Sequence, residues 1–155
     1  MSTSDHVFLR TGLPPREAAK QLAAALHGTY VERDGDVYVS RPATGGDGQV
    51  GGEVAANEYG APPDPEPDEI SVLDGYDTVF DVRRTHGTDD DQMAEAERLF
   101  TEIVLRIPWP ALLVHNLGQL VAASHPAHGR RDFPTGTTPD ARDRHLWSPY
   151  AVGAE

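Results

Sequence analysis

At 155 residues, without cysteine and with a formal net charge of −12, the chain is long enough for one domain with its own core and needs no disulfide to hold it. The missing thiols exclude a disulfide scaffold, a thiol redox centre and a thiolate zinc site. A field of this sign repels phosphate backbones and anionic lipid, so neither nucleic acid nor a membrane surface is an expected partner. Lys20 is the only lysine beside 12 arginines, and Ala, Gly, Asp and Pro are plentiful. That usage reads as GC-rich, bacterial coding, although a salt-adapted acidic proteome has the same look. The opening MSTSDHVFLRTG has no basic region leading into an apolar run, so a cytoplasmic protein is expected.

In chain order, HVFLR (6–10) is a short apolar strand. A helix follows over 14–27: Pro15 suits the first turn, Ala18, Ala19, Leu22, Ala25 and Leu26 recur at helical spacing, and Gly28 is placed to end it. TYVERDGDVYVS is a hairpin turning at Asp34-Gly35, a pair suited to the positive φ angles of a tight turn. PATGGDGQ (42–49) reads as a loop, and VGGEVAANEY as a strand in which Gly51 and Gly52 make a bulge or a weak point. GAPPDPEPDE (60–69) begins an acidic, proline-rich loop running to about residue 74, where Pro removes donors and the acids repel one another.

YDTVFDVRRT (76–85) alternates, with Tyr76, Thr78, Phe80 and Val82 on one face and Asp77, Val79, Asp81 and Arg83 on the other. The second helix spans 89–107. Thr88 or Asp89 caps it, acids fill its first turn, an apolar stripe runs from Met93 through Leu99, Phe100 and Ile103 to Ile107, and Pro108 ends it. Residues 107–127 carry no Asp, Glu, Lys or Arg. Their length suits a membrane span, but Pro108, Pro110 and the central HNLGQ do not. Split at HNLGQ, the segment becomes two apolar strands, PALLV and LVAAS, joined by a turn with Gly118 available for positive φ.

The expected fold is therefore α+β, with two helices packed on an antiparallel or mixed sheet. Its element order can be written as two β-α-β-β units, residues 6–40 and 76–124. One domain over 1–124 is expected, followed by an irregular C-terminal tail, 125–155, which Trp147 and Tyr150 could pin to it.

Charge is concentrated. Residues 1–60 carry a net −3, residues 61–107 a net −9 and residues 108–155 a net of zero. The acids Asp64, Glu66, Asp68 and Glu69 in the loop and Asp89, Asp90 and Asp91 at the second helix entrance are the candidate partner-binding residues. They would attract a protein with a basic surface, although a solvated, solubilising face accounts for the same charges.

Other constellations are weaker. His125 and His128 have metal-ligand spacing, but Pro126 and Gly129 argue against the helix that would present them together. His115 beside Asn116 reads more simply as a hairpin tip than as a general base. His86 precedes the Asp89–Asp91 run at a strand-to-helix connection, where carboxylates can also serve as a helix cap. Asp77 and Asp81 lie four apart on a strand and could form an acid/base couple, with Arg83 as the simpler neutralising neighbour. No catalytic residue, metal or cofactor is assigned. The leading expectation is a small acidic cytoplasmic protein-binding protein, of the kind of an immunity or antitoxin-like inhibitor of a basic effector domain. The alternatives are an accessory subunit of a larger assembly and a small hydrolytic or ligand-binding enzyme using Asp77, Asp81 and His86.

Overall fold

The computed structural model describes residues 4–44, 48–60 and 64–152. The expected loop at 42–49 and the acidic loop at 60–74 thus fall outside it at 45–47 and 61–63. The elements follow as β1 (Asp5–Leu9), α1 (Pro15–Leu26), β2 (Thr29–Arg33), β3 (Asp36–Pro42), β4 (Gln49–Ala56), β5 (Thr78–Arg84), α2 (Asp89–Arg106), β6 (Ala111–His115), β7 (Gln119–His125), β8 (Gly129–Asp132) and the short α3 (Arg144–Trp147). The strands form one sheet in the order β2-β3-β4-β5-β1-β6-β7-β8, and every neighbouring pair is antiparallel. The α+β class is as expected. The sheet is larger than a two-helix layer alone suggests, and it is antiparallel throughout.

α1 starts with Pro15 inside its first turn and buries Ala18, Ala19, Leu22, Ala23 and Leu26. Its end differs from expectation. His27, not Gly28, takes the left-handed conformation (φ 54°), and the Gly28 amide donates to the Ala23 carbonyl at 2.8 Å. Glycine is needed at 28 for another reason: a Cβ there would come within 2.7 Å of the Ser40 carbonyl oxygen on β3. α2 opens with a reciprocal cap. The Thr88 side chain accepts from the Asp91 amide while the Asp91 carboxylate accepts from the Thr88 amide, satisfying two end groups at once. Its buried face is Ala96, Leu99, Phe100 and Ile103, as the apolar spacing requires.

The Asp34-Gly35 turn has positive φ at both residues (53° and 88°), the handedness that matches strand twist. The β6–β7 turn does not use Gly118 in this way. Asn116 and Leu117 carry the positive φ angles (51° and 60°), and Asn116 is tied to Ser4 through two hydrogen bonds, its amide to the Ser4 carbonyl (2.7 Å) and its side-chain oxygen from the Ser4 amide (2.9 Å). Those bonds stabilise a conformation that the turn sequence alone does not favour.

Both long helices pack on one face of the sheet, against Val7, Leu9, Val39, Val54, Phe80, Val82 and Leu113. The opposite face has a second core of Phe8, Val72, Leu73, Tyr76, Val79, Leu112, Val114, Leu120, Trp147 and Tyr150. Its cover comes from the segment before β5 and from the C-terminal residues. This changes the reading of the C-terminal segment as irregular: β8 extends the sheet, α3 follows, and Trp147 and Tyr150 are 1% and 5% exposed. The Trp147 ring N–H donates to the Asp140 carbonyl (2.9 Å), and the Tyr76 hydroxyl to the Tyr150 carbonyl (2.7 Å). The cause lies in β1 and β6, which carry apolar side chains on both faces and so need covering twice.

The two helix-bearing halves share their element order, but the sheet does not repeat it. α2 links β5 and β6, which are separated by β1 alone, whereas α1 links β1 and β2, which have β5, β4 and β3 between them.

Candidate functional site

The cover on the second face is partial. It lies over β1, β6 and β7 and leaves the outer part of β2, β3, β4 and β5 open. There the register aligns Val31 with Tyr38 and Tyr38 with Glu53, sets Glu53 opposite Asp81, and pairs Asp81 with His6. One row across five strands thus ends in four titratable side chains.

His6 is 5% exposed, with its Nε2 3.8 Å from Asp81 and its Nδ1 buried without a partner among the described residues. Burial holds its pKa below the ordinary 6.5; Asp81 pulls it up, Arg83 pushes it down and Asp5 pulls it up. The His6 ring thus gives up its proton more readily than a free imidazole, and it packs near Phe8 and Tyr59. Glu53 titrates above its ordinary value, through burial first and then the neighbouring Asp36 and Asp81 charges. Asp81 is in turn engaged by the Arg83 Nε at 3.2 Å.

A different polar group is buried on the helix side. Asp5, 0% exposed, accepts from Gln92 Nε2 at 3.0 Å and lies 2.8 Å from His115 Nδ1. Asn116 Nδ2 sits 3.3 Å from His115 Nε2. Aspartate, imidazole and amide form a closed chain, so His115 is held by structure at both nitrogens. Its sequence neighbour Asn116 was visible as a partner; Asp5, which fixes the ring, was not.

The proposed acid/base couple is not formed. Asp77 caps the β1–α1 connection, accepting from the Thr11 and Gly12 amides and from the Thr11 and Thr78 hydroxyls. Desolvation pushes its pKa up, but the hydrogen bonds from Thr78, Thr11 and Gly12 outweigh that and hold the carboxyl below its ordinary range. Asp81 lies further along, inside the sheet row, and His86 is exposed beyond the far end of β5. With β5 spanning roughly 20 Å, the structure brings no two of Asp77, Asp81 and His86 together except through the strand itself. His125 and His128 do meet, with ring centres 4.9 Å apart across the β7–β8 turn. Burial, and then His128, hold the His125 pKa below its ordinary value. No third carboxylate or imidazole joins them to make a metal-binding group among the described residues.

The seven acids singled out by sequence, Asp64, Glu66, Asp68, Glu69, Asp89, Asp90 and Asp91, are all exposed. They form two groups on opposite faces of the sheet. Asp89–Asp91 start α2 on the helix side, where Asp91 lies 3.4 Å from Arg84 and is held at low pKa by its hydrogen bonds to Thr88. The loop acids lie on the other side, ahead of Ile70, Val72 and Leu73, which anchor the segment in the second core. Within the loop, Glu66 and Glu69 close a reciprocal cap around the short 3-10 turn Pro67–Glu69. Asn57 ties the loop's return, its side-chain amide donating to the carbonyls of Leu73 (3.0 Å) and Tyr76 (2.7 Å).

No helix among the described residues is long and apolar enough to cross a membrane. Comparison with protein-family models, with curated proteins and with solved structures finds no match to the chain.

Proposed function

We propose that the chain is a protein-binding protein of the immunity or antitoxin-like kind, which docks on a basic effector domain through its acidic loop. The observation that carries this reading is the way the loop is held. An acidic segment that serves only for solubility needs no fixed shape, whereas this one is anchored by Val72 and Leu73, 0% and 5% exposed, and clamped by Asn57. Its carboxylates are thus presented to solvent on a defined scaffold, and a partner meeting them loses little loop entropy. Asp89, Asp90 and Asp91 face the other way and contribute to the long-range field, not to the same contact.

The test is capture from a lysate of the source cell with the full chain as bait, followed by kinetics with the captured protein. One stoichiometric basic partner is expected. Changing Asp64, Glu66, Asp68 and Glu69 to Asn or Gln should slow association by about tenfold at low salt and leave dissociation nearly unchanged, because exposed charges act mainly on encounter. The difference should vanish near 1 M salt, where the Debye length falls to about 3 Å. Equal association rates at low salt would overturn the reading.

A further inference from the structure

We propose that the open face of β2–β5 holds a binding site for a small oxyanion, a phosphomonoester or a carboxylate, seated between Arg33 and Arg83. A cavity of about 260 Å³ lies there. Its floor is bare backbone. Gly51 (φ 138°) and Gly52 cannot carry side chains, since a Cβ would come within 2.0 Å of the Val39 carbonyl oxygen and 2.2 Å of the Asp81 carbonyl oxygen respectively. Gly51, in the same row as Ser40 and Arg83, therefore leaves the open sheet surface bare where a ligand can approach closely.

The walls supply donors in a chain otherwise rich in acids. Arg33 and the hydroxyls of Tyr38 and Ser40 have no hydrogen-bond or ion-pair partner among the described residues. Arg83 spends its Nε on Asp81 and leaves its terminal nitrogens uncommitted. A guanidinium edge matches an oxyanion with two parallel hydrogen bonds, and two such edges over hydroxyl donors define an anion-selective pocket. Glu53 and Asp81 stand in the row between those of Arg33 and Arg83 but do not line the cavity, so the charged side chains that face it are the two arginines. Val31, 37% exposed, and the Tyr38 ring give an apolar wall for the ligand's body. The site is separate from the acidic loop and needs no partner protein to be tested.

The experiment is amide NMR of the full chain titrated with sodium phosphate and, separately, sodium benzoate, each against sodium chloride at matched ionic strength. Saturable shifts at Ser40, Gly51 and Gly52, with dissociation constants of about 1 mM, are the expected result. The double variant Arg33→Gln/Arg83→Gln should weaken binding at least tenfold, and Arg16→Gln, whose arginine pairs with Glu32, should not change it. Tighter phosphate binding assigns a phosphomonoester, and tighter benzoate binding a carboxylate. If the double variant loses its native spectrum, Arg33→Gln alone, at the exposed end of β2, should still weaken binding severalfold. Shifts reproduced by chloride, no saturation with either anion, or unchanged affinity in a folded variant would overturn the proposal.

Discussion

Asp5 and His115 stand 110 residues apart in the chain and 2.8 Å apart in space. Between them they close the ends of β1 and β6 at the centre of the sheet, with Gln92 of α2 as the third member of the group. Helix, N-terminal strand and late hairpin meet in one buried polar contact. Asp5→Ala would leave the His115 Nδ1–H without an acceptor and take from Gln92 one of its two, the Val82 carbonyl remaining, and an orphaned buried donor costs about 1–3 kcal/mol. Urea melts at pH 7 should show a loss of at least about 2 kcal/mol, with Asp5→Asn losing less because one acceptor survives. A loss below about 0.5 kcal/mol would mean that water replaces the carboxylate without cost.

The α2 face gives a paired test. Phe100 is 0% exposed and Leu105 is 78% exposed on the same helix. Phe100→Ala should destabilise by about 3–5 kcal/mol, and Leu105→Ala should stay within about 0.5 kcal/mol. Similar losses for the two would show that the helix face has been assigned wrongly.

His6 makes stability depend on pH. Its folded pKa lies below the ordinary 6.5, through burial first. Between those two values the unfolded chain binds the proton and the folded chain does not, so stability falls as pH drops below about 6.5. His6→Leu removes the proton site. The stability of the wild type relative to His6→Leu should therefore decline from pH 7 to pH 5, with no such change between pH 7 and 8. Parallel curves for the two proteins across that range would place the imidazole in water.

Trp147 tests whether the C-terminal segment belongs to the fold. It is 1% exposed in the second core and donates to the Asp140 carbonyl. Trp147→Ala should cost about 3–5 kcal/mol in denaturant melts, and near-UV circular dichroism should lose signal throughout the transition region. A near-neutral variant would return residues 133–152 to the status of an appendage.

Some of this was legible in the residues and some was not. α2 could be read almost to the residue, because Thr88, the first-turn acids, the apolar period and Pro108 all report the same element locally. The Asp34-Gly35 hairpin was legible for the same reason. The second core was not predicted, although its signal was present: HVFL and ALLV are continuous apolar runs, the pattern of strands covered on both faces. Such runs report a dry strand but do not say which segments of the chain cover its second face. β8 was missed because Gly129-Arg130-Arg131-Asp132 has no apolar residue, and its pairing with β7 supplies what its side chains do not. The Asp5–His115 contact and the row from Tyr38 to His6 join residues that no local period connects. They follow from strand order, which the element sequence left open. The seven candidate acids were each recognisable, but their division between two faces was not, since it depends on which side of the sheet each connection crosses.

The central place of β1 has a consequence for how the protein is made. It is synthesised ahead of the other strands of its sheet, yet Val7 finds its neighbours only at Phe80 on one side and Leu113 on the other. Pairings of such long range close slowly, because the chain between them must be ordered first. Until His115 has been synthesised, one edge of HVFL lacks its partner, and synthesis at about 5–20 residues per second leaves it so for several seconds. During that interval a strand buried on both faces lacks one of its neighbours. The acids that dominate the stretch from 61 to 107 are synthesised in the same interval, and their mutual repulsion between neighbouring nascent chains opposes aggregation until β6 arrives.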